Sequence, residues 1–174
     1  MLIKKNNNLY VYETLAKDGA KLRHWKDFTR FYWNLLYERI VFRKLIIKNN
    51  NINNLDNTIN YTEEETLDEI EKKFLDFIKK TEKMPYRITF NKLFCYGKPR
   101  HYELKYEWNK AKGFYCSSLL AAAFMHAGIM KIDHCAGKYR PGYFASDKTK
   151  QYLSLNDNYD LGAELMIDFN YNEL

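Results

Sequence analysis

The first two dozen residues carry the apolar pattern of a β-hairpin. Residues 9–13 (LYVYE) are rich in β-forming side chains, and residues 2–3 (LI) resemble the end of a partner strand. The polar segment 4–8 between them predicts the turn, and Asp18-Gly19 predicts another turn further on. We therefore expect antiparallel strands at the start of the chain.

The next segments combine helical spacing, a dense apolar run and a polar loop. Residues 25–37 place apolar side chains at mixed helical spacing, whereas residues 40–47 (IVFRKLII) predict a strand apolar enough to lie centrally in a sheet. Residues 49–60 are rich in asparagine and predict a surface loop of low complexity.

A long amphipathic helix is predicted over residues 63–81. Thr62 and Glu65 form a capping-box pattern ahead of apolar residues at helical spacing, namely Leu67, Ile70, Phe74, Phe77 and Ile78. Beyond Pro85 the sequence is aromatic and irregular up to Trp108, and a last strand is expected over residues 165–169. This order of elements predicts an α+β domain with helices packed on a mostly antiparallel sheet.

A second helix, beginning at Cys116, holds the strongest chemical signal. The first N–H groups of a helix lack partners within it, and together with the helix dipole they favour a thiolate at this position. The helix predicts burial against a sheet through apolar and small residues, and Gly128 predicts its end: Leu119, Leu120, Ala121, Ala122, Ala123, Phe124 and Ala127. The alternative is that Cys116 simply packs in the core, as free cysteines usually do.

Composition narrows the class of protein without identifying it. The chain has 174 residues, 46% of them hydrophobic, which suits one domain with a real core. Three cysteines form no disulfide framework, so we expect a reducing intracellular compartment. No stretch approaches the roughly 18 to 20 apolar residues of a membrane span, and we expect no transmembrane segment.

The net charge of +6 is concentrated towards the N-terminal region. These basic residues alternate with apolar ones and accompany no nucleic-acid-binding motif, so we interpret them as solvated faces and expect no nucleic-acid partner. The alternative, a basic nucleic-acid-associated protein, would show strongly salt-dependent binding to any duplex.

Several short motifs are shared, in order, with one enzyme family. They are residues 9–13 (LYVYE), residues 40–45 (IVFRKL), Pro85-Tyr86, residues 114–117 (FYCS) and Pro141 to Phe144. On these motifs, which are spread over almost the whole chain, the sequence resembles the circularly permuted branch of the NlpC-type, papain-like cysteine hydrolases. That branch includes bacterial YiiX-like proteins and poxvirus relatives. The resemblance implies one permuted papain-like domain over residues 1–174.

The resemblance also implies the roles of two residues. Cys116 corresponds to the nucleophile, and Glu13 corresponds to the polar residue that orients a histidine. In such a site the thiolate attacks an acyl carbon, the imidazole moves protons and the carboxylate fixes the imidazole. Without the resemblance, Glu13 would be interpreted as a solvated carboxylate or as the partner of a base such as Arg43. Ser118 departs from the family, which commonly has glutamate there.

The family histidine would fall just before Met1, so the resemblance implies either an N-terminally incomplete domain or a chain that has lost its base. The four histidines of the sequence are His24, His101, His126 and His134. His101, in the aromatic stretch, is the best candidate surrogate base. His126 lies ten residues beyond Cys116, roughly 15 Å along a helix, and His134 beside Cys135 has no second pair of ligands for zinc.

Two functions remain open from the sequence. The first is a cysteine hydrolase or acyltransferase that acts on an amide, ester or thioester, without cofactor or metal, and that is nearly inactive without the histidine. The second is a non-catalytic relative that binds an acyl chain, peptide or protein in the former active-site cleft. The expected partner is thus an acyl-containing small molecule, a lipid or a peptide.

Overall fold

A three-stranded antiparallel sheet opens the fold. The computed structural model describes residues 1–30, 40–48, 63–88 and 98–167. Its first strands are β1 (Leu2–Lys5), β2 (Asn8–Leu15) and β3 (Gly19–His24), in the order β1-β2-β3. The predicted hairpin is confirmed, with a two-residue turn at Asn6 and Asn7, whose φ angles of 48° and 58° are those of a turn that follows the twist of the strands.

The predicted turn at Asp18-Gly19 is also present, and its glycine is required. Gly19 has a φ of 72°, and a Cβ built there would lie 2.3 Å from the carbonyl oxygen of Met84. The close approach is made by backbone hydrogen bonds, since Ala20 N–H donates to Met84 O and Lys83 N–H donates to Ala20 O, both at 2.7 Å. Gly19 thereby lets the segment around Met84 pack against the start of β3.

A second ladder is built from the apolar run at residues 40–47. Helix α1 (Trp25–Arg30) precedes it, and residues 31–37 of the predicted helix lie outside the described residues. The run forms two short strands, β4 (Ile40–Phe42) and β5 (Leu45–Ile47). They pair antiparallel with β7 (Leu165–Ile167) and β6 (Tyr159–Leu161), respectively.

The prediction of one central strand over residues 40–47 is wrong. Two residues separate β4 from β5, whereas three separate β6 from β7, so the ladder is interrupted by a bulge. Arg43 fills the interruption, and its guanidinium donates to the carbonyl oxygens of Gly162, Leu161 and Phe144. Within the described ranges each half pairs on one side only, and Val41 and Ile46 are more than a third exposed.

The long helix has the predicted bounds. Helix α2 (Glu63–Thr81) buries one stripe of its apolar residues, while Leu67 at its start is half exposed. At its end Thr81 donates to the carbonyl oxygen of Phe77 and shares a 2.7 Å hydrogen bond with the hydroxyl of Tyr12, which joins the helix to β2. The predicted capping box at Thr62 and the loop at residues 49–60 lie outside the described residues.

Helix α4 (Cys116–His126) is the centre of the core. Three short helical segments, α3 (His101–Leu104), a 3-10 turn (Trp108–Lys110) and another (Ala136–Lys138), flank it, and a third turn (Pro141–Phe144) leads to α5 (Thr149–Tyr152). The alanines Ala121 to Ala123 are fully buried where α4 packs against β2 and α2, as their size predicts. Gly128 follows the helix with a φ of 76°, which confirms it as the stop.

The described residues therefore form a mixed α+β domain with antiparallel sheets and five α-helices. Within these ranges, none of the helices has both the length and the apolar character needed to cross a bilayer.

Candidate functional site

Cys116 is exposed at the first turn of α4. Tyr115 precedes it in an extended conformation, with φ −106° and ψ 169°, and the helix begins at Cys116 itself. The thiol is accessible to solvent, whereas Tyr115 and Ser117 on either side are buried. The interpretation of Cys116 as a core-packing residue is therefore wrong.

Side-chain hydrogen bonds of Tyr115, Ser117 and Ser118 hold the start of α4 in place. Ser118 Oγ accepts a hydrogen bond from the N–H of Tyr115 at 2.9 Å, and Ser117 Oγ donates to the carbonyl oxygen of Tyr139 at 2.8 Å. The hydroxyl of Tyr115 also donates to the carbonyl oxygen of Gly137. Ser118 thus occupies the third position of a capping box.

Glu13 on β2 is bound by Arg23 on β3. The Nε of Arg23 donates to Glu13 Oε1 at 2.8 Å, and Nη2 donates to the same oxygen. Both side chains are about four-fifths buried, with 21% and 18% exposed. The sequence suggested Arg43 as a possible partner, but the guanidinium of Arg43 is bound to backbone carbonyls at the bulge.

The charges of Glu13 and Cys116 both act on one group, the amino group of Met1 at the beginning of β1. There the Met1 amino group donates to the carbonyl oxygen of Tyr12 at 2.9 Å. Burial lowers the pKa of this ammonium, and the nearby Glu13 carboxylate and Cys116 thiol act in the opposite direction. The Met1 amino group is thus influenced by both predicted site residues.

An apolar groove of about 590 Å³ adjoins this end of the sheet. On α4 it is lined by Leu120 and Phe124, which lie one and two turns beyond Cys116 on the same face of the helix. The opposite walls come from the first sheet, α1, the bulged ladder and the turn after α4: Met1, Val11, Trp25, Phe28, Ile40, Phe42, Pro141 and Phe144. Cys116 itself is not among the residues that line the groove.

His101, the predicted surrogate base, lies away from this site. It is exposed as the first residue of α3. Tyr102 and Glu103 of the same helix line a small cavity with Ser118, two residues and about 200° around α4 from Cys116. No contact in the described ranges joins His101 to Cys116 or Glu13, so its role as a base stays a prediction without structural support.

Two other histidines have partners of their own. His24 bonds Asn8 through Nε2 at 3.2 Å at the exposed edge of the sheet. His126 accepts a hydrogen bond from Trp108 Nε1 at 3.1 Å through Nδ1, and its Nε2 lies 2.8 Å from Asp76 Oδ2. Because Nδ1 is an acceptor, Nε2 carries the proton and donates to Asp76. In the part of the chain that is described, neither histidine contacts Cys116.

Sequence reasoning missed Arg23 and the groove. The sequence contains a weak indication that Arg23 pairs with Glu13, since the turn at Gly19 fixes the register of the two strands that carry them. It contains no indication of the groove, because the walls of the groove come from segments more than a hundred residues apart. Among the described residues no group of three or more histidine, cysteine or acidic side chains could hold a metal ion.

Comparison of the chain with protein-family models, with curated proteins and with solved structures finds no match.

Proposed function

We propose that this chain is a cysteine-dependent acyl hydrolase or acyltransferase of the permuted NlpC-like, papain-like type. Its substrate is an ester, thioester or amide whose acyl chain occupies the apolar groove. The observation that carries the proposal is the exposed thiol of Cys116 at the start of α4, on the same helix face as the groove residues Leu120 and Phe124. A reducing compartment would keep this thiol available.

The chemistry can be written with the groups around Cys116 and with water as the carrier of protons. The thiol of Cys116 loses its proton to solvent, the thiolate attacks the acyl carbon, and backbone N–H groups at the start of α4 stabilise the oxyanion that forms. The bond to the leaving alcohol, thiol or amine then breaks, the leaving group takes a proton from water, and a thioester to Cys116 remains. Attack by water releases the carboxylic acid and restores the thiol.

Turnover of the substrate is expected to be slow in this chain. General acid and base catalysis typically contributes about 10²- to 10⁴-fold to rate. Within the described ranges no histidine contacts Cys116 or Glu13. The acyl-enzyme should therefore form from activated esters and persist, because its hydrolysis lacks a base.

A binding module without turnover is the second candidate, and the Glu13–Arg23 pair favours it. A carboxylate held by two guanidinium hydrogen bonds is already satisfied electrostatically. Such a site could retain the groove and its occupant while Cys116 remains chemically idle.

The test is covalent capture of an acyl group. We expect p-nitrophenyl decanoate to give one burst of nitrophenol per chain and a stable decanoyl adduct, which peptide mass mapping assigns to Cys116. The variant Cys116→Ala should lose both, and Cys135→Ser is the matched control because Cys135 is buried. A burst that survives in C116A, or an adduct at another residue, would refute the nucleophile.

Free imidazole distinguishes the two candidate functions. If the site is catalytic and lacks only its base, added imidazole should accelerate deacylation in a saturable manner and should do so less in Glu13→Gln. A binding module would take up decanoate without covalent capture, equally well in the wild type and in C116A.

A further inference from the structure

Glu13 does not form its ion pair with the residue that lies directly opposite it on β3. In the β2–β3 register Glu13 faces Lys21, and Val11 faces Arg23. The ammonium of Lys21 instead lies 3.9 Å from Asp18, while Glu13 is bound diagonally by Arg23. Long side chains at diagonal positions are still within reach of each other, so Glu13 pairs with Arg23 although Lys21 lies directly opposite.

Arg23 is in turn held by the wall of the groove. Its guanidinium carbon lies 5.6 Å from the centre of the Phe28 ring, and that ring stacks on Trp25 with centroids 5.5 Å apart. Both aromatic residues belong to α1, which packs against β2 and β3, and both line the groove. A cation over an aromatic face is attracted to it, so the Phe28 ring helps to hold the guanidinium of Arg23 in place.

Only one of the two carboxylate oxygens of Glu13 accepts hydrogen bonds within the described part of the chain. Both hydrogen bonds from Arg23 end on Oε1, and in the described part of the chain Oε2 accepts none. One oxygen is therefore anchored and the other is available to a group placed near Met1 and Cys116.

We propose that Arg23 is a positioning residue for the Cys116 site: anchored by the Phe28 wall of the groove, it fixes Glu13 through Oε1 and presents Oε2 to the site. Arg23 also neutralises the carboxylate beside the thiol. This inference rests on the proposed function for its catalytic meaning, but its electrostatic consequence can be measured without turnover.

The charged and titratable groups around Cys116 come from several elements. Cys116 and Glu13, whose partner is Arg23, both act on the Met1 ammonium at the start of β1. Cys116 also acts on Tyr115 before α4, as do Cys135 and Arg140. A change confined to the Glu13–Arg23 pair should therefore alter the alkylation of Cys116 against a constant background.

The experiment measures the rate of Cys116 alkylation by iodoacetamide from pH 6 to 10. Arg23→Gln leaves the Glu13 charge uncompensated and should slow alkylation at neutral pH about two- to threefold by disfavouring the thiolate. Glu13→Gln should accelerate it by a similar factor, and the double variant should return close to the wild type. Phe28→Leu should reproduce part of the effect of R23Q.

Matched controls come from α1 itself. Asp27 and Arg30 form an exposed pair at 3.9 Å, and Asp27→Asn and Arg30→Gln should leave the rate unchanged. If E13Q and R23Q have no effect, or shift the rate in the same direction, the positioning role is refuted and the pair is structural. If R23Q fails to fold, Arg23→Lys, which should stay near the wild-type rate, and E13Q provide the same contrast.

A second readout separates this inference from the proposed function. In R23Q the rescue of deacylation by imidazole should weaken, because Oε2 is no longer presented in one orientation. Absence of any acyl adduct in the wild type would refute the proposed function, whereas the alkylation contrast would still decide whether Arg23 controls Glu13.

Discussion

At the scale of single residues, two glycines decide where the chain before Tyr86 can lie. A Cβ at Gly19 would meet Met84 O at 2.3 Å, and a Cβ at Gly113 would meet Pro85 O at the same distance. The segment that contains Met84 and Pro85 is also hydrogen-bonded to Phe114, whose N–H donates to Pro85 O at 3.1 Å. Because Gly19 and Gly113 have no side chains, the start of β3 and the segment that leads to Cys116 can both pack against the backbone of Met84 and Pro85.

We predict that Gly19→Ala lowers the free energy of unfolding by about 2 kcal/mol or more, since a positive φ alone costs about 1 to 3 kcal/mol. Gly128→Ala shares the positive φ but would meet no atom within 4 Å, so it should be milder, about 1 kcal/mol. Gly142→Ala has neither problem and serves as the neutral control. Urea denaturation measures all three, and equal losses for G19A and G142A would contradict the steric argument.

Residue identities alone predicted part of this picture. The place of Cys116 at a helix start and the stop at Gly128 follow from local sequence signals that the structure bears out. The partner of Glu13 does not, because a diagonal contact between strands depends on register and on the wall beneath Arg23. No local pattern encodes that wall.

At the scale of elements, α2 and α4 are joined by a polar contact between the half-exposed Asp76 of α2 and His126 at the end of α4. His126 is packed between Trp108 and Asp76, with its ring 5.7 Å from that of Phe77. Burial lowers the pKa of His126, although the hydrogen bond to Asp76 acts in the opposite direction. A protonated ring could no longer accept the hydrogen bond from Trp108 Nε1, so the fold favours the neutral form.

This contact predicts a loss of stability in mild acid. Because the folded pKa of His126 lies below its unfolded value near 6.5, the unfolded chain binds more protons as the pH falls through that value. The contribution is fully present above about pH 6.5 and is lost progressively down to the folded pKa. We expect His126→Gln to flatten this part of the stability curve, measured by urea denaturation from pH 5 to 8.

His101→Gln is the matched control for that measurement, because His101 is exposed as the first residue of α3. A wild-type curve without slope between pH 5 and 6.5, or a slope that survives in H126Q, would contradict the prediction. Asp76 acts in a lower range: Lys80 first, and then His126, lower its pKa below 3.8, so its contribution is lost only as the pH falls through that lowered value.

The elements with strong local signals were predictable, and the broken ladder was not. The spacing of apolar residues predicted α2 with its bounds and the first hairpin with its turn. The run at residues 40–47 predicted extended backbone correctly, but its bulge arises where Arg43 donates to carbonyl oxygens of two distant segments, Leu161 and Gly162 in one and Phe144 in the other. Periodicity along one strand contains no information on a mismatch with its partner.

At the scale of the whole molecule, the candidate site is a meeting of distant segments. Cys116 opens α4, Glu13 and Arg23 come from the first sheet, and the groove takes its walls from α1, α4 and the bulged ladder. Local sequence predicted the position of Cys116 at the start of a helix, because a helix start is local. It could not predict a cavity, which depends on how helices and sheets pack after their apolar faces are set.

The groove should therefore govern the choice of acyl chain without affecting the reactivity of the thiol. We predict that Leu120→Trp, which fills the groove one turn beyond Cys116, lowers the rate of acylation by p-nitrophenyl decanoate relative to p-nitrophenyl acetate about tenfold. Burial of each methylene contributes about 0.8 kcal/mol, so the loss of only two buried methylenes would suffice. Leu104→Trp, at a half-exposed position on α3 outside the groove, should leave the ratio unchanged.

Alkylation by iodoacetamide provides the internal standard, since this small reagent needs no groove and should react with L120W at the wild-type rate. A chain-length preference that persists in L120W would place the acyl chain elsewhere on the molecule. An equal loss for decanoate, acetate and iodoacetamide would instead mean that the substitution distorts the start of α4. Only a selective loss for the longer ester supports the groove as the acyl site.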